Sequence, residues 1–142
     1  MSDRVFLDTN VLVYAYDGHE PAKQRRAQQV LRSGLVDDSA VLSAQVLGEF
    51  FVTVTRKIPT PLSCAEARDI IELVSTLPVV DVDHVLVKRA LSVHEQYQIS
   101  YWDALIVAAA ERAGCVAIIT EDLQHGQSYG DVTVKNPFLS AH

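Results

Sequence analysis

Four acidic residues stand where a carboxylate is not needed for solubility. Asp8 directly follows the apolar triplet Val5, Phe6, Leu7, and Glu49 sits inside the nearly continuous apolar stretch Val46 to Val52. Asp103 opens the apolar run Ala104 to Ala110, and Asp122 comes shortly after the run Cys115 to Ile119. If such groups meet, they cannot all stay charged unaided. Two unit charges about 4 Å apart repel by about 4 kcal/mol at an effective dielectric near 20. Either some carboxylates take up protons or a divalent cation sits among them. Ligands that are all oxygen favour Mg²⁺ or Mn²⁺ over zinc, and such ions activate water and stabilise a leaving oxygen in phosphodiester hydrolysis.

Each acid also has an ordinary explanation. Asp8 or Asn10 can cap a helix. Glu49 falls in step with Gln45, Thr53 and Arg56, a solvated helical stripe. Asp103 is the third residue after Ser100, as in a capping box, and Asp122 can start a turn. These explanations do not require the acids to meet. A parallel sheet does require it of Asp8 and Asp122, because the ends of parallel strands share one edge.

Other chemistries find little support. No P-loop, GxGxxG or GxSxG motif occurs, and His19, His84, His94, His125 and His142 are scattered without zinc-site spacing. His94 reads as the exposed side of a helix. His125 falls near Asp122 in sequence, within range of a minor part in substrate contact.

The elements that would position these residues alternate between strand and helix. Val5 to Leu7 reads as a short buried strand leading into a helix at Val11 to Tyr14. A helix is expected over 20–33, with Pro21 near its start and Gly34 as its C′ residue. A strand follows at Ala40 to Ser43, then a helix from Gln45 to Lys57. Ser63 and Glu66 form a capping-box sequence for a helix through Leu77, which Pro78 ends. Val79 to Val82 reads as a strand, Asp83 as the cap of the next helix, and Ser100 to Ala113 as another helix closed by Gly114. Cys115 to Ile119 and Asp131 to Lys135 complete the strands. The pattern implies an α/β fold: five short, mostly parallel strands with helices on both faces. Extra helices between the second and third strands suggest a clip or a partner surface.

At 142 residues the chain, 1–142, is expected to be a single domain. Its two cysteines, Cys64 and Cys115, lack metal-ligand spacing and suit a reducing compartment. The start Met1, Ser2, Asp3, Arg4 has no basic leader, and no apolar run approaches the roughly 18 residues of a membrane helix, so a cytoplasmic location is expected. The net charge of −6 is unusual for a protein that docks on phosphates. Local basic patches at Lys23, Arg25 and Arg26, or at Arg56 and Lys57, would have to do so, unless they are simply solvated helix faces.

The segment Phe6 to Leu12, the helix carrying Glu49, the segment Tyr101 to Ile106 and the triplet Thr120, Glu121, Asp122 resemble the PIN-domain family. The likeness runs over essentially the whole chain, and a chain this short resembles the VapC-type toxins of toxin–antitoxin modules. The resemblance implies a PIN-like five-stranded sheet and a Mg²⁺- or Mn²⁺-dependent endoribonuclease. It implies Asp8, Glu49, Asp103 and Asp122 as metal-binding catalytic residues, with Thr9, Asn10 and Thr120 as supporting, water-orienting groups. Because Glu121 and Asp122 are adjacent, either is open as the fourth acid. It also implies a cognate antitoxin, whose arginine or lysine would enter the acidic pocket, and a homodimer. Phe50, Phe51 and Val54 would supply a groove for the partner, unless they are core. Two alternatives stay open: a phosphoaspartate-forming enzyme with Asp8 as nucleophile, disfavoured by Asn at position 10, and a non-catalytic module that binds partners through its acidic pocket.

Overall fold

The structure is a computed structural model and describes residues 3–139. The Met1–Ser2 start and His142, considered above, lie outside the described residues. A six-stranded sheet in the order β3-β2-β1-β4-β6-β5 forms the centre. Its strands are β1 (Val5–Leu7), β2 (Ala40–Ser43), β3 (Val79–Val80), β4 (Ala117–Ile119), β5 (Ser128–Tyr129) and β6 (Val132–Lys135). All pairings are parallel except β5 with β6. The sequence predicts five strands, and β5 is the addition. It is two residues long and turns back onto β6 through Gly130, which has φ +62°. Two residues carry no periodicity, so only the turn could have announced it.

The helices are α1 (Thr9–Tyr16), α2 (Pro21–Asp37), α3 (Ala44–Arg56), α4 (Cys64–Val74), α5 (His84–Tyr97) and α6 (Tyr101–Arg112). Strand order runs outward from β1 in one direction through β2 and β3, and in the other through β4 and β6. With right-handed crossovers, that reversal puts helices on both faces and opens a crevice at the carboxyl ends of β1 and β4.

Two corrections concern α2. It extends to Asp37, and Gly34 is a buried interior residue, not its C′ residue. A Cβ at Gly34 would lie 2.5 Å from the Cβ of Ala40 on β2, so glycine is there for close helix–strand approach. The left-handed cap falls to Asp38, at φ 50°. The expected caps Ser63, Asp83 and Ser100 all accept from the first turn of their helices.

Helix α6 is buried over seven consecutive residues, Ala104 to Ala110. It packs on β2, β4, β6 and α5, and its run of alanines permits that close packing. Phe50 and Val54, four apart on α3, are wholly buried beside Val46. They are core and do not form a partner groove; Val52, on another side of the helix, is the exposed residue. Among the described residues no helix is long and apolar enough to cross a membrane.

Candidate active site

Strand β1 delivers Asp8 to the crevice, and Asp8 N–H donates to Ile119 O of β4 at 3.1 Å, which locks the two strand ends together. Asp8 is only 6% exposed. Its Oδ1 accepts from Thr9 N at 2.7 Å, so it is the N-cap of α1. Its Oδ2 accepts from Thr120 Oγ1 at 2.8 Å. Capping and a place in the site are therefore one role, since both depend on the carboxylate being fixed at this edge. Burial raises its pKa to about 6; the two hydrogen bonds oppose that, and the charges of Asp122 and Glu49 add to it.

The other acids arrive from three different elements. Glu49 is exposed on α3, whose start is set by Ser43 at the end of β2 accepting from Val46 N at 3.3 Å. It accepts from Thr9 Oγ1 at 2.8 Å. Gln45, Glu49 and Thr53 line the same cavity, so the polar stripe read in the sequence faces the site. Asp103 sits in the first turn of α6, where Ser100 Oγ accepts its N–H at 3.1 Å. Its carboxyl is half-buried; burial raises its pKa, and the charge of Asp122 adds to the rise. Asp122 follows β4, its N–H donating to Thr120 Oγ1 at 3.0 Å and its Oδ2 accepting from Asn10 Nδ2 at 3.1 Å. Asn10 Nδ2 also donates to Thr120 Oγ1 at 2.9 Å, and Asn10 Oδ1 accepts from Glu121 N at 3.3 Å. Thr9, Asn10 and Thr120 thus knit the acids to the backbone.

Asp8, Glu49, Asp103 and Asp122 all line one cavity of about 840 Å³. Glu121 does not. It accepts from Lys23 Nζ at 2.9 Å and from Tyr14 OH at 2.6 Å. That pairing consumes Lys23, one of the basic residues considered for docking, and leaves Asp122 as the member of the pair that lines the cavity.

Sequence reasoning missed Asp17, Glu20 and Trp102 in the lining, while Lys57, read as part of a basic patch, does line it. Asp17 and Glu20 flank the α1–α2 connection, and only the packing of those helices brings them in. Trp102 is 61% exposed, a large aromatic beside Asp103 with no core function. Gln45 donates to Trp102 O at 3.2 Å, and its buried Oε1 has no partner among the described residues.

The donor set suits a hard cation, being carboxylate, hydroxyl and amide oxygen, and burial first, with the charges of Asp122 and Glu49 adding to it, raises the pKa of Asp8. No three of the described His, Cys, Asp or Glu side chains converge closely enough to hold an ion as they stand. Glu49 and Asp122, both exposed, are turned to Thr9 and Asn10. For three carboxylates to share one ion, side chains must shift from these positions.

The family model for the PIN domain matches residues 5–128 of the chain. No curated protein matches it. Solved structures do share the fold. A toxin–antitoxin complex from Klebsiella pneumoniae is 19% identical with a TM-score of 0.70, over 94% of this chain and 97% of that one. The VapC20 toxin of Mycobacterium tuberculosis, described as cleaving the sarcin–ricin loop, is 23% identical at TM-score 0.65, over 83% and 91%. A DNA-bound VapBC from Salmonella typhimurium is 14% identical at TM-score 0.67, over 96% and 99%.

Proposed function

The chain belongs to the PIN-domain family, and on that premise we propose that residues 1–142 form a single Mg²⁺- or Mn²⁺-dependent endoribonuclease domain, the toxin of a toxin–antitoxin pair. One observation carries the reading: four carboxylates from four separate parts of the chain line a single cavity at the reversal of strand order. Caps and turns alone give no reason for that convergence.

Asp8, Glu49, Asp103 and Asp122 would hold the ion. When bound, a divalent ion supplies a water nucleophile at neutral pH and neutralises charge on the phosphodiester. The chain's own residues do the rest. Thr9 N–H and Thr120 O–H fix Asp8, so its oxygens are aimed before substrate arrives. Asn10 holds Asp122 and the 120–121 backbone in register with α1. Thr9 Oγ1 does the same for Glu49 across to α3. Among the described residues no histidine or serine lines the cavity, and none is assigned as its nucleophile or base.

The toxin reading draws on the VapC and VapBC neighbours, some of them complexes. An antitoxin would place an arginine or lysine among the acids, bridging carboxylates in a bidentate way if it is arginine. Its segment would rest on the exposed Val52 and Trp102 at the cavity, and a homodimer is also expected. The test is an end-labelled RNA incubated with purified protein and Mg²⁺, Mn²⁺ or chelator. Internal fragments that appear only with the ion are expected, together with slowed growth on expression that Asp8→Asn relieves. Fragments that persist in chelator, or no cleavage with either ion, contradict the enzyme; equal growth with wild type and Asp8→Asn contradicts the toxin.

A further inference from the structure

A second cavity, of about 530 Å³, lies between α2 and the sheet. Its character is opposite to that of the first. Arg26 of α2, His125 of the β4–β5 connection and Lys135 at the end of β6 all line it, and among the described residues no carboxylate does. Each of the three is left available to an anion. Arg26 Nε donates to Pro137 O at 3.0 Å and Nη1 to Gln29 Oε1 at 3.4 Å, both neutral acceptors, so its charge is uncompensated. His125 Nδ1 accepts from Asn136 N at 3.0 Å, which leaves Nε2 as the nitrogen that bears the proton and can donate. Ion pairs among the described residues use Lys23, Arg89 and Arg112, and neither Arg26 nor Lys135. In a chain of net charge −6, two cations without an ion-pair partner among the described residues, beside an imidazole N–H donor in one cavity, make an anion site.

A hydrogen-bonded run through Thr120 links the two cavities. Lys135 O accepts from Thr120 N at 3.1 Å, and Thr120 Oγ1 in turn holds Asp8. Tyr14, which lines the acidic cavity, packs edge-on against Phe138, three residues beyond Lys135. A polyanion cut at the acids is repelled there, so its binding must come from cations nearby.

We infer that Arg26, His125 and Lys135 form a docking site for the phosphates of single-stranded RNA flanking the scissile bond. The inference rests on the ribonuclease reading for the identity of the polyanion. A single carboxylate would also be attracted, but only a strand with a phosphate at every nucleotide carries charge continuously from the acidic cavity to this one.

The test measures binding, not cleavage, so the two readings fail separately. Anisotropy of a fluorescent single-stranded RNA is titrated with the full chain in chelator, at several salt concentrations. Lys135→Ala and Arg26→Ala are each expected to weaken binding roughly tenfold. Each should also reduce the log–log salt slope by about 0.7, the value for one phosphate contact to a single strand. Lys135→Glu should weaken it further; among the described residues the Lys135 side chain makes no hydrogen bond, so folding is not at stake. Lys135→Arg should bind as wild type, and so should Arg68→Ala, which removes an exposed cation on α4. Unchanged binding in the Lys135 variants, or an equal loss in Arg68→Ala, overturns the site. Poly-glutamate binding that depends on Lys135 while RNA binding does not would assign the cavity to an acidic protein and overturn the RNA inference. Cleavage without this binding pattern leaves the enzyme standing and the inference refuted.

Discussion

Glu121 and Asp122 are neighbours in sequence with unlike surroundings, and nothing in their residue types tells them apart. The pairing of Glu121 with Lys23 spans 98 positions and depends on α2 lying against the end of β4. Lys23 also sits 4.9 Å from the centre of the Tyr14 ring, so the trio acts as a structural clasp. Glu121→Ala is expected to lower stability by about 1 kcal/mol, as for a partly exposed ion pair with an added hydrogen bond. Cleavage should be largely kept. Asp122→Asn should do the reverse, with the melting temperature kept and cleavage reduced at least tenfold. Denaturation curves and RNA cleavage rates on both variants check this; a swap of the two outcomes would make Glu121 the functional acid. The remaining acids were easier to read. Asp8 sits where β1 ends and α1 begins, and Asp103 in the first turn of α6, so the local pattern alone places each at an element end. The basic residues were not legible singly, because Lys23 is spent on Glu121 and Arg26 finds His125 and Lys135 only through the fold.

Elements whose ends carry a chemical marker were read to within a residue or two: β1, β2, the start of α4 with its capping box, and α5 and α6 behind Asp83 and Ser100; α4 itself stops at Val74, short of the expected Leu77. Gly34 misled because its helical context resembles a terminus, while its actual cause, the approach of Ala40, is tertiary. Gly34→Ala therefore tests the packing directly. Alanine favours a helix interior by about 1 kcal/mol over glycine, but overpacking costs about 1–3 kcal/mol. A net loss in urea denaturation is expected; a gain would mean that α2 moves off β2 without cost. The α5–α6 pair has its own clamp. Asp83 caps α5 at Leu86 N and accepts from Arg112 at the end of α6, both guanidinium contacts at 3.0 Å. Arg112 first, then the cap bond, lowers the Asp83 pKa from 3.8 to about 2. A depressed carboxylate stabilises the fold above its unfolded pKa, and that contribution is lost as pH falls through the folded value. Arg112→Ala should therefore lower the melting temperature at neutral pH, and the gap to wild type should close between about pH 4 and pH 2. A gap that stays constant with pH would show that the pair contributes by packing alone.

At the scale of the whole molecule, the parallel topology explains why residues as distant in sequence as 8 and 122 come together, and why the order of strands mattered more than their number. Adding β5 at the far edge left the crevice between β1 and β4 unchanged in kind. Charge is sorted rather than averaged: carboxylates gather at one cavity and unpaired cations at its neighbour, which a net value of −6 conceals. The account's central claim is that the gathered acids exist for chemistry and not for the fold. Asp8→Asn and Asp103→Asn each keep the shape and the capping geometry while removing a charge. Rates of Mn²⁺-supported RNA cleavage, measured beside melting temperatures on the same preparations, separate the two roles. We expect each variant to lose at least a hundredfold in rate, about 2.7 kcal/mol of transition-state stabilisation, and to melt within a few degrees of wild type. Wild-type cleavage by either variant, or a loss of cleavage matched by a collapse in melting temperature, would contradict the claim.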